Sequence, residues 1–130
     1  MSTFKRYNGT NWETIGGGIA YSKYSTTEHV VGTWVDGKPV YEKQISATTT
    51  AGGNKEVLID SNLKRGWITE GYVVSTSNSS MFPLNYYSSS TLYIKSSIQA
   101  NGNFRITTGS NSGLINGNFT ATVRYTKTTD

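Results

Sequence analysis

Near the end of the chain apolar and polar residues alternate. Phe119, Ala121, Val123 and Tyr125 are apolar, and Thr120, Thr122, Arg124 and Thr126 between and after them are polar. A period of two places the two sets on opposite sides of an extended chain, so this stretch predicts a half-buried strand. Asn116-Gly117 just ahead of it is a turn signal. Six more strands are predicted upstream. Val30, Val31, Trp34 and Val35 mark 28–35, and Asp36-Gly37 predicts a two-residue hairpin returning over 38–45. Pro39 sits just after that turn, where a missing ladder donor is tolerated on an edge strand. A short apolar strand is expected at 56–60, and another at 67–75 with Ile68, Tyr72 and Val74 on one face. Over 91–98, Leu92, Ile94 and Ile98 alternate against Tyr93 and Lys95, and over 103–107 Phe104 and Ile106 share a face. Segments 48–54, 75–90 and 108–113 read as loops. Asn101-Gly102-Asn103-Phe104 recurs as Asn116-Gly117-Asn118-Phe119, which reads as one turn chemistry launching two strands.

The N-terminus adds a smaller unit. Phe4 to Tyr7 and Trp12 to Ile15 flank Asn8-Gly9, a hairpin pattern, and Gly16-Gly17-Gly18 follows as a flexible joint. The expected organisation is a stalk-like hairpin and joint over 1–18 and a terminal domain over 19–130. No window carries a sustained 3.6-residue stripe. The expected class is all-β: an antiparallel, jelly-roll-like β-sandwich preceded by the hairpin, with a small closed barrel as the alternative.

Composition supports strands and turns. Only 35% of the 130 residues are hydrophobic, but aromatic and β-branched residues are too regularly placed for a disordered chain. The net charge of +4 is spread out: Lys5-Arg6 and Lys64-Arg65 are the only adjacent basic pairs. A scattered charge without a basic helix predicts no nucleic-acid partner. With no run of about 20 apolar residues, no membrane insertion is expected.

Reactive chemistry is sparse. There is no cysteine and only one histidine, His29, so no metal site is expected. His29 reads as a surface strand residue beside Glu28. Asp36 is explained by its turn, and Glu56, Asp60 and Glu70 by strand ends or exposed faces. No phosphate-binding glycine loop is present. The expectation is a non-catalytic protein without a cofactor. Binding is the better prospect. Aromatic rings that stack on a sugar's apolar face, beside amides that orient it, suit saccharide recognition. Segment 75–90 carries Asn78, Asn85, Tyr86 and Tyr87 among serines, and Tyr21, Tyr24 and Trp34 are further candidates.

The terminal Val-Arg-Tyr-Thr-Lys-Thr-Thr-Asp (123–130), Leu84-Asn85-Tyr86-Tyr87 and the stretch from Val30 to Ile45 resemble the C-terminal region of bacteriophage and prophage tail or tail-fibre proteins. The leading hairpin, of the form aromatic-Asn-Gly-x-x-Trp, is similar to those ahead of the terminal domain in such proteins. The resemblance implies a virion protein, released by lysis without a secretion signal and acting outside the cell. Its expected partners are a bacterial surface polysaccharide, other tail proteins and two further copies of itself in a homotrimer. The alternative is a purely structural, trimerising tail module without a ligand.

Overall fold

The computed structural model describes residues 5–7, 12–14, 24–50 and 52–130. At the N-terminus β1 (Lys5–Tyr7) pairs antiparallel with β2 (Trp12–Thr14), Tyr7 opposite Trp12. The hairpin's turn at 8–11, the glycine joint at 16–18 and the candidate Tyr21 lie outside the described residues.

The remaining strands are β3 (His29–Thr33), β4 (Pro39–Thr48), β5 (Asn54–Leu58), β6 (Leu63–Val74), β7 (Met81–Pro83), β8 (Tyr86–Tyr87), β9 (Tyr93–Ile98), β10 (Asn103–Thr108) and β11 (Asn118–Lys127). They form a five-stranded sheet, order β3-β4-β11-β6-β7, and a four-stranded sheet, order β5-β10-β9-β8, with every pair antiparallel. One 3₁₀ turn (Ser112–Leu114) and no α-helix occur among the described residues. The all-β, sandwich-like expectation holds. Both sheets are open, so the barrel alternative is not formed. β4 pairs with β11 in one sheet and β5 with β10 in the other. Early and late strands are thus matched in reverse order, whereas β6–β7, β8–β9 and β9–β10 pair between neighbours in the chain.

β11 lies in the middle of the larger sheet. Phe119, Ala121, Val123 and Tyr125 are each at most 1% exposed, as the alternation predicts. They join Ile45 and Val73 of the same sheet and Ile94, Phe104 and Ile106 of the other in one cluster. Phe104 and Phe119 stack across the sheets at 5.5 Å between ring centroids. Burying side chains of this size contributes roughly 1.5–3 kcal/mol each.

Four local expectations are corrected. First, β6 contains a bulge: Thr122 faces Glu70 while Val123 faces Ile68, so Thr69 is the extra residue. Its hydroxyl donates to the Thr122 carbonyl at 3.1 Å. The inserted residue reverses the alternation beyond it. Ile68 packs on the core, but Tyr72 and Val74 turn outward and Val73 turns in. Second, segment 75–90 is not all loop, since β7 and β8 lie inside it, held by Phe82, Leu84 and Tyr86 on the core. Third, the Asp36-Gly37 turn is a three-residue loop. Trp34 N–H donates to the Lys38 carbonyl at 2.8 Å and Gly37 N–H to the Trp34 carbonyl at 2.9 Å. Only Gly37 of the turn has positive φ, +80°, whereas a two-residue type I′ turn needs two such residues. Fourth, the repeated Asn-Gly-Asn-Phe does not share one turn. The first copy repeats the Gly37 geometry, with Gly102 at φ +88° and Asn103 N–H donating to Asn101 Oδ1 at 3.1 Å. In the second copy the positive φ falls on Asn116, and Gly117 instead admits a close approach: its N–H donates to Thr49 Oγ1 at 2.9 Å.

A polar cluster ties the chain ahead of β3 to the core. Glu28 accepts from the Tyr125 hydroxyl at 2.5 Å and from Lys127 Nζ at 2.8 Å. Lys127 also reaches Asp60 at 3.3 Å and lies 4.4 Å from the Tyr41 ring centroid. Burial, followed by the bond to Glu28, pushes the Tyr125 phenol well above its ordinary value. The bond to Glu28 likewise raises Lys127, against some desolvation.

Two outcomes are expected from these features. A Cβ at Gly102 would stand 1.9 Å from the Asp60 carbonyl oxygen, whereas one at Gly37 would meet nothing within 4 Å. Gly102→Ala should therefore cost about 4 kcal/mol or more, and Gly37→Ala only the left-handed strain of about 1 kcal/mol. Chemical denaturation of both variants decides this, and similar midpoints would contradict the steric account. The second outcome concerns pH. Both raised groups favour their protonated forms when folded, and the unfolded chain releases these protons first as pH climbs. Stability from the cluster is thus whole below about pH 10, the ordinary tyrosine range, and is lost as pH rises through the raised values. Tyr125→Phe should lower stability at neutral pH and make the alkaline loss shallower. An unchanged alkaline profile in that variant would exclude the phenol as its source.

Candidate functional site

The outer face of the five-stranded sheet carries an opening suited to a ligand. Cross-strand neighbours share a face, so the register reads off its floor. Thr122 of β11 lies opposite Gln44 of β4 on one side and Glu70 of β6 on the other. One step along, Thr120 lies between Ser46 and Tyr72. The Thr69 bulge is what brings Glu70 and Tyr72 to this face.

Tyr24 stands over this floor. Its segment is fixed to β4 by Gln44 N–H donating to the Ser25 carbonyl at 2.8 Å, and to β11 through Glu28. The Glu70 carboxylate, through hydrogen bonding first and then its charge, raises the Tyr24 phenol above its ordinary value. Tyr24, Gln44, Glu70, Tyr72, Thr120 and Thr122 line a depression of about 440 Å³. That volume is within the range of small-molecule sites, roughly 300–1,000 Å³. The two rings remain available to a ligand, Tyr24 being 62% and Tyr72 41% exposed.

The next row on this face is closed. Glu42, opposite Arg124, is only 2% exposed and accepts from Arg124 Nε at 2.7 Å. His29 lies opposite Glu42, with Nε2 3.5 Å from its carboxylate, while Nδ1 donates to the Thr27 carbonyl at 3.1 Å. His29 is therefore half-buried and turned to Glu42 rather than to Glu28. Trp67, opposite Arg124, packs on Trp34 with centroids 5.4 Å apart, and Arg65 lies 5.1 Å from the Trp34 ring centroid. Together these side chains form a ridge beside the depression.

Of the seven candidate residues read from the sequence, the six described ones fall in separate places. Only Tyr24 lines the main depression. Trp34 belongs to the ridge, its ring engaged by Trp67 and Arg65. Asn78 is in the β6–β7 connection, where its Oδ1 accepts from Ser80 N–H at 3.0 Å in a turn. Asn85, Tyr86 and Tyr87 do come together with Lys95 at the β8 edge of the other sheet, around a smaller hollow of about 230 Å³. Asn85 Oδ1 is engaged by Ser96 N–H and Oγ at 3.2 and 3.4 Å. Tyr86 points inward against Phe82, at 5.0 Å between centroids, and Tyr87 is 74% exposed. The sequence reading missed Gln44, Glu70, Tyr72, Thr120 and Thr122. The two threonines were visible as the polar face of β11, but the bulge concealed the outward turn of Tyr72.

The depression combines two aromatic rings, an amide that both donates and accepts, two hydroxyls and a carboxylate. Such a surface can hold a ligand that has one flat apolar face and several hydroxyl groups. Among the described residues no three metal-binding side chains converge. The fold and this face define a two-sheet antiparallel β-sandwich with a polar–aromatic depression on its larger sheet. No family model matches the chain, and neither a curated protein nor a solved structure matches it.

The two adjacent tyrosines of β8 should behave differently. Tyr86→Ala removes a ring packed on the core and should cost about 3 kcal/mol. Tyr87→Ala should stay within about 0.5 kcal/mol of the parent. Equal costs in equilibrium unfolding would refute the inward and outward placement.

Proposed function

We propose that this protein is a non-catalytic saccharide-binding module, the terminal domain of a phage tail or tail fibre that recognises a glycan on the bacterial surface. The observation that carries the saccharide reading is the Gln44–Thr122–Glu70 row beneath the Tyr24 and Tyr72 rings. Rings of this kind supply flat contact area at small entropic cost, and the polar row supplies orientation. The phage assignment is supported by the sequence motifs at 30–45, 84–87 and 123–130. The non-catalytic reading is supported by the acids on this face. Glycoside hydrolysis ordinarily uses two carboxyl groups flanking the bond. Here Glu70 opens to the depression while Glu42 is buried under its bond to Arg124.

A second reading, a structural module that trimerises without binding a glycan, has one observation of its own. The outermost strands of the larger sheet, β3 and β7, leave apolar side chains in solvent: Val30 on β3, Val35 just beyond it and Met81 on β7. Open edges of this kind invite pairing with another chain.

Binding to intact bacteria and their purified wall polysaccharides separates the readings. Under the first, Tyr72→Ala and Gln44→Ala each weaken saturable binding about tenfold or more, a loss of roughly 1.4 kcal/mol, with the melting temperature within about 3 °C. Under the second, no wall polysaccharide competes, and Val35→Lys or Met81→Lys converts a trimer to monomers in sedimentation. Failure of Tyr72→Ala to change binding by a protein that does bind would remove this depression as the site.

A further inference from the structure

The depression differs in sign from the molecule that carries it. The chain has a net charge of +4, yet among the described residues lining the depression the one charged side chain is Glu70. Arg124, two residues along β11 from the Thr122 that lies opposite Glu70, is engaged by the buried Glu42 at 2.7 Å. Among the described residues no lysine or arginine forms an ion pair with Glu70. The Tyr24 phenol, which the carboxylate raises by hydrogen bonding and charge, is a neutral neighbour.

Two further features bear on what such a carboxylate attracts. Tyr24 and Tyr72 bring their rings to the same depression, and the faces of aromatic rings are negative. A cation near both a carboxylate and ring faces is held by charge pairing and by cation–π attraction together. An anionic ligand, by contrast, would meet repulsion from Glu70 and from the ring faces. The remaining lining groups, Gln44, Thr120 and Thr122, are neutral and suit hydroxyls.

From this we infer that the depression selects a saccharide bearing a free, protonated amine, an amino sugar that is not N-acetylated, with the ammonium beside Glu70 and the sugar face on Tyr24 or Tyr72. This rests on the saccharide reading above and narrows it to one class of sugar. It also predicts that a wall polymer gains or loses this protein as its amines are exposed or acetylated.

Nuclear magnetic resonance titration of the whole chain tests it, using the methyl glycosides of glucosamine, N-acetylglucosamine and glucose below the pKa of the amine. These probes differ only at carbon 2. The expected result is saturable shifts at Tyr24, Tyr72 and the Gln44 side-chain amide, with affinity for the amino glycoside about tenfold above the other two. Glu70→Gln should abolish that difference, and so should raising the pH above the amine's pKa. Equal shifts from all three glycosides overturn the amine preference and leave the saccharide reading standing. Methylammonium chloride acting as strongly as the amino glycoside supports the cation preference and removes the saccharide reading. No shift at these residues with any probe overturns both.

Discussion

One alternation, on the strand in the middle of the larger sheet, sets both sides of this molecule. Inward, Phe119, Ala121, Val123 and Tyr125 make the centre of the core, and all four are excluded from water. Outward, Thr120 and Thr122 make the centre of the candidate site's floor. The two roles are coupled by geometry, because a strand slipped by one residue exchanges its faces. The core therefore fixes the register of the site. Burying four apolar side chains in the wrong direction would expose them all, a cost far above that of any single polar contact on the outer face.

β11 alone does not make the depression. Glu70 and Tyr72 reach the outer face because Thr69 is inserted ahead of them, and Thr69 bonds back to the strand it interrupts. On the inner side the same stretch places Gly71 opposite Ala121. A Cβ at Gly71 would fall 2.3 Å from Leu84 Cδ1, so the absence of a side chain there is what lets Leu84 fill the core. Leu84 in turn stands between β7 and β8, the two short strands that flank it in the chain. The bulge, the glycine and the buried leucine are one arrangement seen from two sides. Its inner half stabilises the sandwich and its outer half presents an acid and a ring.

The parts that were legible in the sequence are those governed by strict periodicity. β11, β10 and β9 follow their alternation, and the buried positions Phe104, Ile106 and Ile94 are the ones it names. β6 escaped the same logic because a bulge adds one residue without leaving a compositional mark, so every face assignment beyond Thr69 inverted. β7 and β8 escaped because three- and two-residue strands are too short to show a period. The candidate site was legible only at Tyr24. Aromatic-rich loops stand out in a sequence, whereas the lining residues are scattered from position 24 to position 122 and are brought together by strand pairing. Asn78 and Asn85 illustrate another point: amides in serine-rich segments look free in a sequence, but Asn78 accepts within its own turn and Asn85 accepts from Ser96 of β9.

The ridge explains why one half of the outer face is closed and the other open. A carboxylate removed from water is tolerated only when paired, and Glu42 is paired with Arg124 in a short, charge-assisted bond. The pairing cancels the charge of both groups as seen from the depression next to them. Trp34 and Trp67 then cover apolar area beside the pair, and Arg65 adds a cation against the indole. Charge and apolar surface on that side are thus satisfied internally, leaving little for a ligand to use. On the other side no lysine or arginine among the described residues pairs with Glu70, and Tyr24 and Tyr72 keep exposed ring area. The asymmetry lies between two neighbouring rows of one sheet, and it is the difference in internal pairing, more than the types of residue present, that separates the closed row from the open one.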